Sequence, residues 1–167
     1  MTFTSEAAGE MRDRVEALIG QPTTGWWLGT FHSIAARILR IHASALGVDS
    51  FNQNFTILDD DDQLRLLKEL LIDHNLDPKA HSPRAVSNAI SRWKDRGWVP
   101  EKVPLDEIPS GLCEGQLGRI YDAYQSRLLE LNACDFGDLL LHNLTIFRTN
   151  SAILETYQHR FRFILVD

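Results

Sequence analysis

Apolar residues recur three and four positions apart over most of this chain, and shorter, denser apolar runs stand near its two ends. Ile34, Ile38, Ile41 and Ala45 share one helical stripe, which predicts a helix over residues 33–46 with Ser33 as its N-cap. Just ahead of it, Trp26, Trp27, Leu28 and Phe31 read as a short core strand over 26–31. Residues 2–4 read as the end of another strand. A helix over 6–19 follows, capped by Ser5, lined by Met11, Val15 and Leu18 and stopped by Gly20-Gln21-Pro22.

Beyond Gly47 the pattern becomes helical almost throughout. Residues 51–58 read as an extended linker or a short strand at 55–58. Asp59-Asp60-Asp61-Asp62 then opens a helix through Ile72. Ser82 and Pro83 open another to Lys94, with Ala85, Ala89 and Trp93 on one face and Val86 and Ile90 beside them. Leu117, Ile120, Tyr121, Tyr124, Leu128 and Leu131 predict a long helix over 114–131. Asp135 caps a helix over 136–147, Ser151 caps one to His159, and residues 162–166 read as a strand. The chain is therefore expected to be mainly α. Its helical middle is flanked by strand-bearing ends whose strand–helix alternation fits pieces of a parallel α/β sheet.

Composition narrows the partners. The net charge of −6 repels nucleic acid in bulk, so any such contact must be a local patch. Cys113 and Cys134 have no metal-ligand spacing and fit free thiols in a reducing, cytoplasmic setting. No apolar run reaches membrane-spanning length, and no basic, apolar leader pattern is visible. G-x-x-x-x-G-K-[ST], G-x-S-x-G, H-E-x-x-H and C-x-x-C are all absent. The four consecutive aspartates read as a helix start, since side chains so placed do not converge on one cation.

Two stretches carry candidate binding chemistry. Ser33, Arg37, Arg40 and Ser44 form a row of hydroxyls and guanidinium groups from a helix start, a row suited to phosphate or to plain solvation. Arg84, Arg92, Lys94 and Arg96 lie beside Trp93 and Trp98. Such a mixture either grips nucleic acid or divides into core rings and solvated charges.

Four motifs in order then carry a resemblance. Thr2-Phe3-Thr4-Ser5-Glu6-Ala7-Ala8-Gly9-Glu10-Met11-Arg12-Asp13-Arg14 resembles TFTNKAAxEMxxR, and Thr30-Phe31-His32-Ser33 with Arg37 and Leu39-Arg40 resembles a DNA-contact motif. Asp135-Phe136-Gly137-Asp138-Leu139-Leu140 resembles DFxxLL, and Phe163-Ile164-Leu165-Val166-Asp167 resembles the strand that opens a Walker B motif. Together they resemble UvrD/Rep-type superfamily 1 DNA helicases over the whole chain.

The resemblance implies a RecA-like ATPase sheet contributed by residues 1–32 and 161–167, with a helical insertion subdomain over 33–160. It implies an ATP-dependent enzyme that moves 3′ to 5′ on single-stranded DNA and unwinds duplex in repair or replication. Single strands and single-strand/duplex junctions would be its partners, along with DNA-repair proteins. Phe3, Thr4, Thr30, His32 and Arg37 would contact the strand, and Asp167 would hold Mg²⁺ in the complete parent. The phosphate loop is expected before Thr2 and the catalytic glutamate after Asp167, so this piece alone is expected to be inactive and to bind ATP and Mg²⁺ poorly. Ser5-Glu6 departs from the family's Asn-Lys and reverses a charge beside the track. A helicase–nuclease subunit of the AddA or RecB kind, or a non-catalytic helical adaptor, shares the same motifs.

Overall fold

The computed structural model describes residues 1–2 and 4–166. Its first helix, α1 (Ser5–Ile19), is capped by Thr4, whose side chain accepts from the Ala7 N–H at 3.2 Å. The cap sits one residue before the expected Ser5, because Thr4 is the residue left in extended geometry. Gly20 closes the helix in a left-handed conformation, φ 66°. No side chain of α1 is buried, and Leu18 is 85% exposed.

The strand expected over 26–31 does not form among the described residues. Thr2 and Thr30 make a single parallel bridge, with the Thr2 N–H donating to Gly29 O and the Phe31 N–H to Thr2 O. A lone bridge supplies too few ladder bonds to hold a strand, so the chain turns into helix α2 (Phe31–His42) at once. Thr30 caps α2 by accepting from the Ser33 N–H, which puts Ser33 inside the first turn and corrects its expected role as cap. α2 buries Ile34, Ala35, Ile38 and Leu39, while Ile41 faces outward, and a 3-10 turn over Ala43–Leu46 ends the segment. The strand expected over 162–166 is likewise irregular, with Phe163 and Leu165 exposed.

The middle of the chain is helical, as the pattern predicts. β1 (Thr56–Ile57) leads through the cap Asp59 into α3 (Asp60–Asp73), and α4 (Pro83–Asp95) follows. α5 (Leu117–Glu130) starts three residues later than expected. Cys113 and Glu114 take left-handed φ values of 54° and 52°, and the Cys113 N–H donates to His81 Nδ1 at 3.1 Å. Strand β2 (Ala133–Cys134) pairs in parallel with β1, Thr56 opposite Ala133 and Ile57 opposite Cys134. α6 (Phe136–Thr149) and α7 (Ser151–Arg160) complete the chain. Asn150, not Ser151, caps α7, because its carboxamide oxygen is the one within reach of the Ile153 N–H.

Two cores divide the helices. Leu67, Leu71, Ile90, Trp93, Ile120, Tyr121, Tyr124 and Leu128 fill the space among α3, α4 and α5. Leu39, Phe51, Phe55, Leu139 and Ile146 join α2 to α6, with the Phe51 and Phe55 rings stacked at 5.2 Å. A smaller cluster gathers Ile34, Ile38 and Tyr157 against Trp27 and Phe161. Among the described residues no helix is long and apolar enough to cross a membrane.

Burial lowers the His142 imidazole pKa, with Asp138 opposing, and burial also lowers that of His42. A histidine depressed in the fold gives full stability above its ordinary value of 6.5 and loses it as pH falls through the folded value. Asp135, whose pKa burial raises, works in the opposite sense. The histidine contribution to stability is therefore expected to drop between pH 7 and 5. In urea titrations at the two pH values, His142→Gln should shrink that drop.

Candidate nucleic-acid interface

β1 and β2 run parallel, so the helices that follow them start at the same edge. Asp59 caps α3 through the Asp62 N–H at 2.8 Å. Asp135 caps α6 through the Asp138 N–H at 2.9 Å, and the Asp138 side chain accepts from the Asp135 N–H at 3.1 Å, completing a capping box. Between the two helix starts lies a groove of about 550 Å³, lined by residues from Ile57 to Asp61, Gln63 and Phe136. Phe136, the first residue of α6, is 56% exposed. The start of α2 meets it there: the His32 ring lies 4.5 Å from the Phe136 ring, tilted by 39°. Phe136, the exposed member of this pair, offers a π-face on which a planar ring can stack.

Under Phe136 sits a buried polar cluster. Lys94 Nζ lies 2.7 Å from both Asp135 Oδ2 and Asp138 Oδ1. The Tyr124 hydroxyl donates to Asp135 Oδ2 at 3.1 Å, and Gln125 Nε2 donates to Asp138 Oδ1 at 2.9 Å. Burial and the Asp138 charge push the Asp135 pKa up. Burial also works against the Asp138 charge, but the Lys94 ammonium, followed by His142, outweighs it and holds that carboxyl low. The two carboxyls are thus pushed in opposite directions, Asp135 up and Asp138 down.

The candidate residues fall into distinct settings. Thr4 and Thr30 are the caps of α1 and α2, so their side-chain oxygens already accept backbone bonds. His32 is half-buried beside Phe136. Arg37 is exposed, with its guanidinium 4.0 Å over the Trp27 ring. Phe3 and Asp167 lie outside the described residues.

Two sequence expectations are corrected. The phosphate row loses Arg40, which donates to the Gln53 carbonyl at 2.8 Å and lies 4.4 Å over Phe55. The basic–aromatic stretch of α4 splits: Trp93 and Lys94 are buried, and Arg96 pairs with Glu107 at 2.9 Å, leaving Arg84 and Arg92 exposed. A hydrophobic stripe three and four residues apart places Trp93 in the core. Lys94 follows it inward because two carboxylates wait there.

The model of the UvrD/REP helicase N-terminal domain family matches residues 1–167. The chain belongs to this family. Within it, the chain is 43% identical over its whole length to a probable DNA helicase II homolog of Rickettsia conorii, covering 25% of that protein. It is 38% identical to the ATP-dependent DNA helicase PcrA of Bacillus subtilis and 40% identical to DNA helicase II of Haemophilus influenzae. In these it again matches over its full length and covers 22% and 23% of the relative. The chain spans about a quarter of the length of the curated relatives it matches.

A nucleotide site needs a loop of backbone N–H groups, a lysine and a carboxylate pair around the phosphates. Among the described residues no three His, Cys, Asp or Glu side chains are placed to hold a metal. The cavity of about 460 Å³ lined by Trp26, Trp27, Leu28, Phe161, Phe163 and Leu165 is mostly apolar, with Arg160 as the one charged side chain on its wall.

Sequence reasoning missed Phe136 as a partner of His32, although the DFxxLL resemblance had marked the segment. It also missed β2, whose two residues give no periodic signal. Arg40→Ala is expected to lower stability by about 1 kcal/mol, through loss of its carbonyl bonds. Urea unfolding measures this, and the salt dependence of DNA binding should stay as in the parent chain.

Proposed function

We propose that this chain supplies the single-stranded DNA track and helical insertion of an ATP-dependent DNA helicase, which moves 3′ to 5′ and separates duplex at single-strand/duplex junctions during repair or replication. In this reading residues 1–32 and 161–167 belong to the ATPase sheet and 33–160 to the insertion, the division passing through the first turn of α2. The observation that carries it is the His32–Phe136 ring pair, where α2 and α6 begin side by side. Relatives named as DNA helicases at 38–43% identity support the same reading.

The track proceeds by ordinary chemistry. Phe3 stacks on a base, and the His32–Phe136 pair offers a second face. Thr4 and Thr30 stand at helix starts, whose positive dipole ends favour a phosphate. Arg37 supplies a cation, and its contact with Trp27 holds the guanidinium at the surface. ATP and Mg²⁺ act in the complete enzyme, with Asp167 as the metal carboxylate. The 167 residues alone are expected to show no DNA-stimulated ATP hydrolysis, which a phosphate-release assay checks.

Fluorescence anisotropy with a short labelled oligonucleotide across a salt series tests the track. Binding should be weak, prefer single strands and fall with a log–log salt slope of about −0.7 per phosphate contacted. Phe3→Ala should cost about 1–3 kcal/mol. Arg37→Ala should remove about one contact's worth of slope. Glu6→Lys, in the exposed first turn of α1, should tighten binding. Unchanged binding by all three folded variants would remove the track from these positions.

A further inference from the structure

Lys94 stands in the α4 stretch whose charges read from sequence as either gripping nucleic acid or solvated, yet it is 3% exposed and points inward. Its ammonium reaches both aspartates of the α6 capping box at 2.7 Å and lies 5.1 Å over the Tyr124 ring. Its aliphatic stem crosses the first turn of α6. A Cβ added at Gly137 would meet Lys94 Cδ at 3.0 Å and Lys94 Cβ at 3.3 Å. Gly137 lies in a helix, where glycine gives up stability relative to alanine, so the space it leaves for Lys94 is what the position provides.

Phe136 sits between the cap Asp135 and Gly137. More than half of its surface is exposed, so its own packing does little to fix it, and its aim is inherited from the backbone of that first turn. The capping box closes the turn only on itself. Lys94 ties it to α4, and Tyr124 and Gln125, hydrogen-bonded to the same two carboxylates, tie it to α5. We propose that Lys94 is a positioning residue: by bridging Asp135 and Asp138 and lying across Gly137, it fixes the first turn of α6 so that Phe136 is held against His32. For DNA this rests on the reading of that ring pair as a base platform. The lysine acts through Phe136 and touches no nucleotide.

Two measurements on the full 167-residue chain test it. The first needs no DNA. The Phe136 ring current displaces the His32 ring-proton signals, which His32→Gln assigns and Phe136→Ala returns to their undisplaced position. Lys94→Met and Gly137→Ala should each move the His32 signals at least halfway toward that position, while Lys79→Met, which removes an exposed lysine, leaves them in place. Gly137→Ala keeps every charge of the cluster, so it carries the test should Lys94→Met fail to fold.

The second measurement uses a single-stranded oligonucleotide containing 2-aminopurine. Both variants should lose most of the stacking quench and bind about five- to tenfold more weakly, the lower part of the range for one lost base stack. A simple structural ion pair would cost stability and leave both signals unmoved. His32 signals at the parental position in the folded variants overturn the proposal. His32 signals that move, with DNA binding unaffected even by Phe136→Ala, uphold the positioning role and overturn the platform reading instead.

Discussion

One ammonium shared by two buried carboxylates is the constraint on which the packing of the helices depends. Lys94, Asp135 and Asp138 come from α4 and from the start of α6, and α5 adds a hydroxyl and a carboxamide to the same atoms. Taking three charges out of water is costly, and a well-packed apolar cluster of the same volume can be as stable. What the charges add is uniqueness. Leucines tolerate small slides between helices, but an ammonium held at 2.7 Å from two oxygens does not. Register among the three helices is therefore set at one point, directly beneath the exposed Phe136.

The parallel pairing of β1 and β2 supplies the second half of the geometry. Two residues per strand contribute little energy, but a parallel pair makes α3 and α6 start on the same side, where α2 also starts. Three helix N-termini then share one surface, each with a positive dipole end. Asp59, Thr30 and Asp135 cap them. Asp59, Asp60 and Asp61 line the groove there, so exposed carboxylates offset the dipole ends.

How much of this was legible in the sequence depends on the range of the interaction that decides it. Asp59, Pro83 and Asp135 announce their helices, because a cap acts within one turn. Where two capping residues are adjacent, as at Thr4-Ser5 and Asn150-Ser151, composition cannot choose between them, and backbone geometry does. The strands expected over 26–31 and 162–166 failed for a different reason: a strand exists only with its neighbours, and among the described residues one bridge is all that Thr2 and Thr30 provide. Lys94 was misread because a basic residue beside tryptophans looks the same whether its counter-ions are phosphates outside or aspartates 41 positions away inside. His32 and Phe136 were each marked by a motif, but only the fold brings them together.

The β1–β2 pairing also bears on the order in which the molecule assembles. α3, α4 and α5 follow one another and can pack as they form. The Thr56–Ala133 pair must instead wait until that whole stretch has been gathered, because closing the long intervening loop costs entropy before the pairing returns anything. The edge where β1 meets β2 is therefore the late-forming part of the chain.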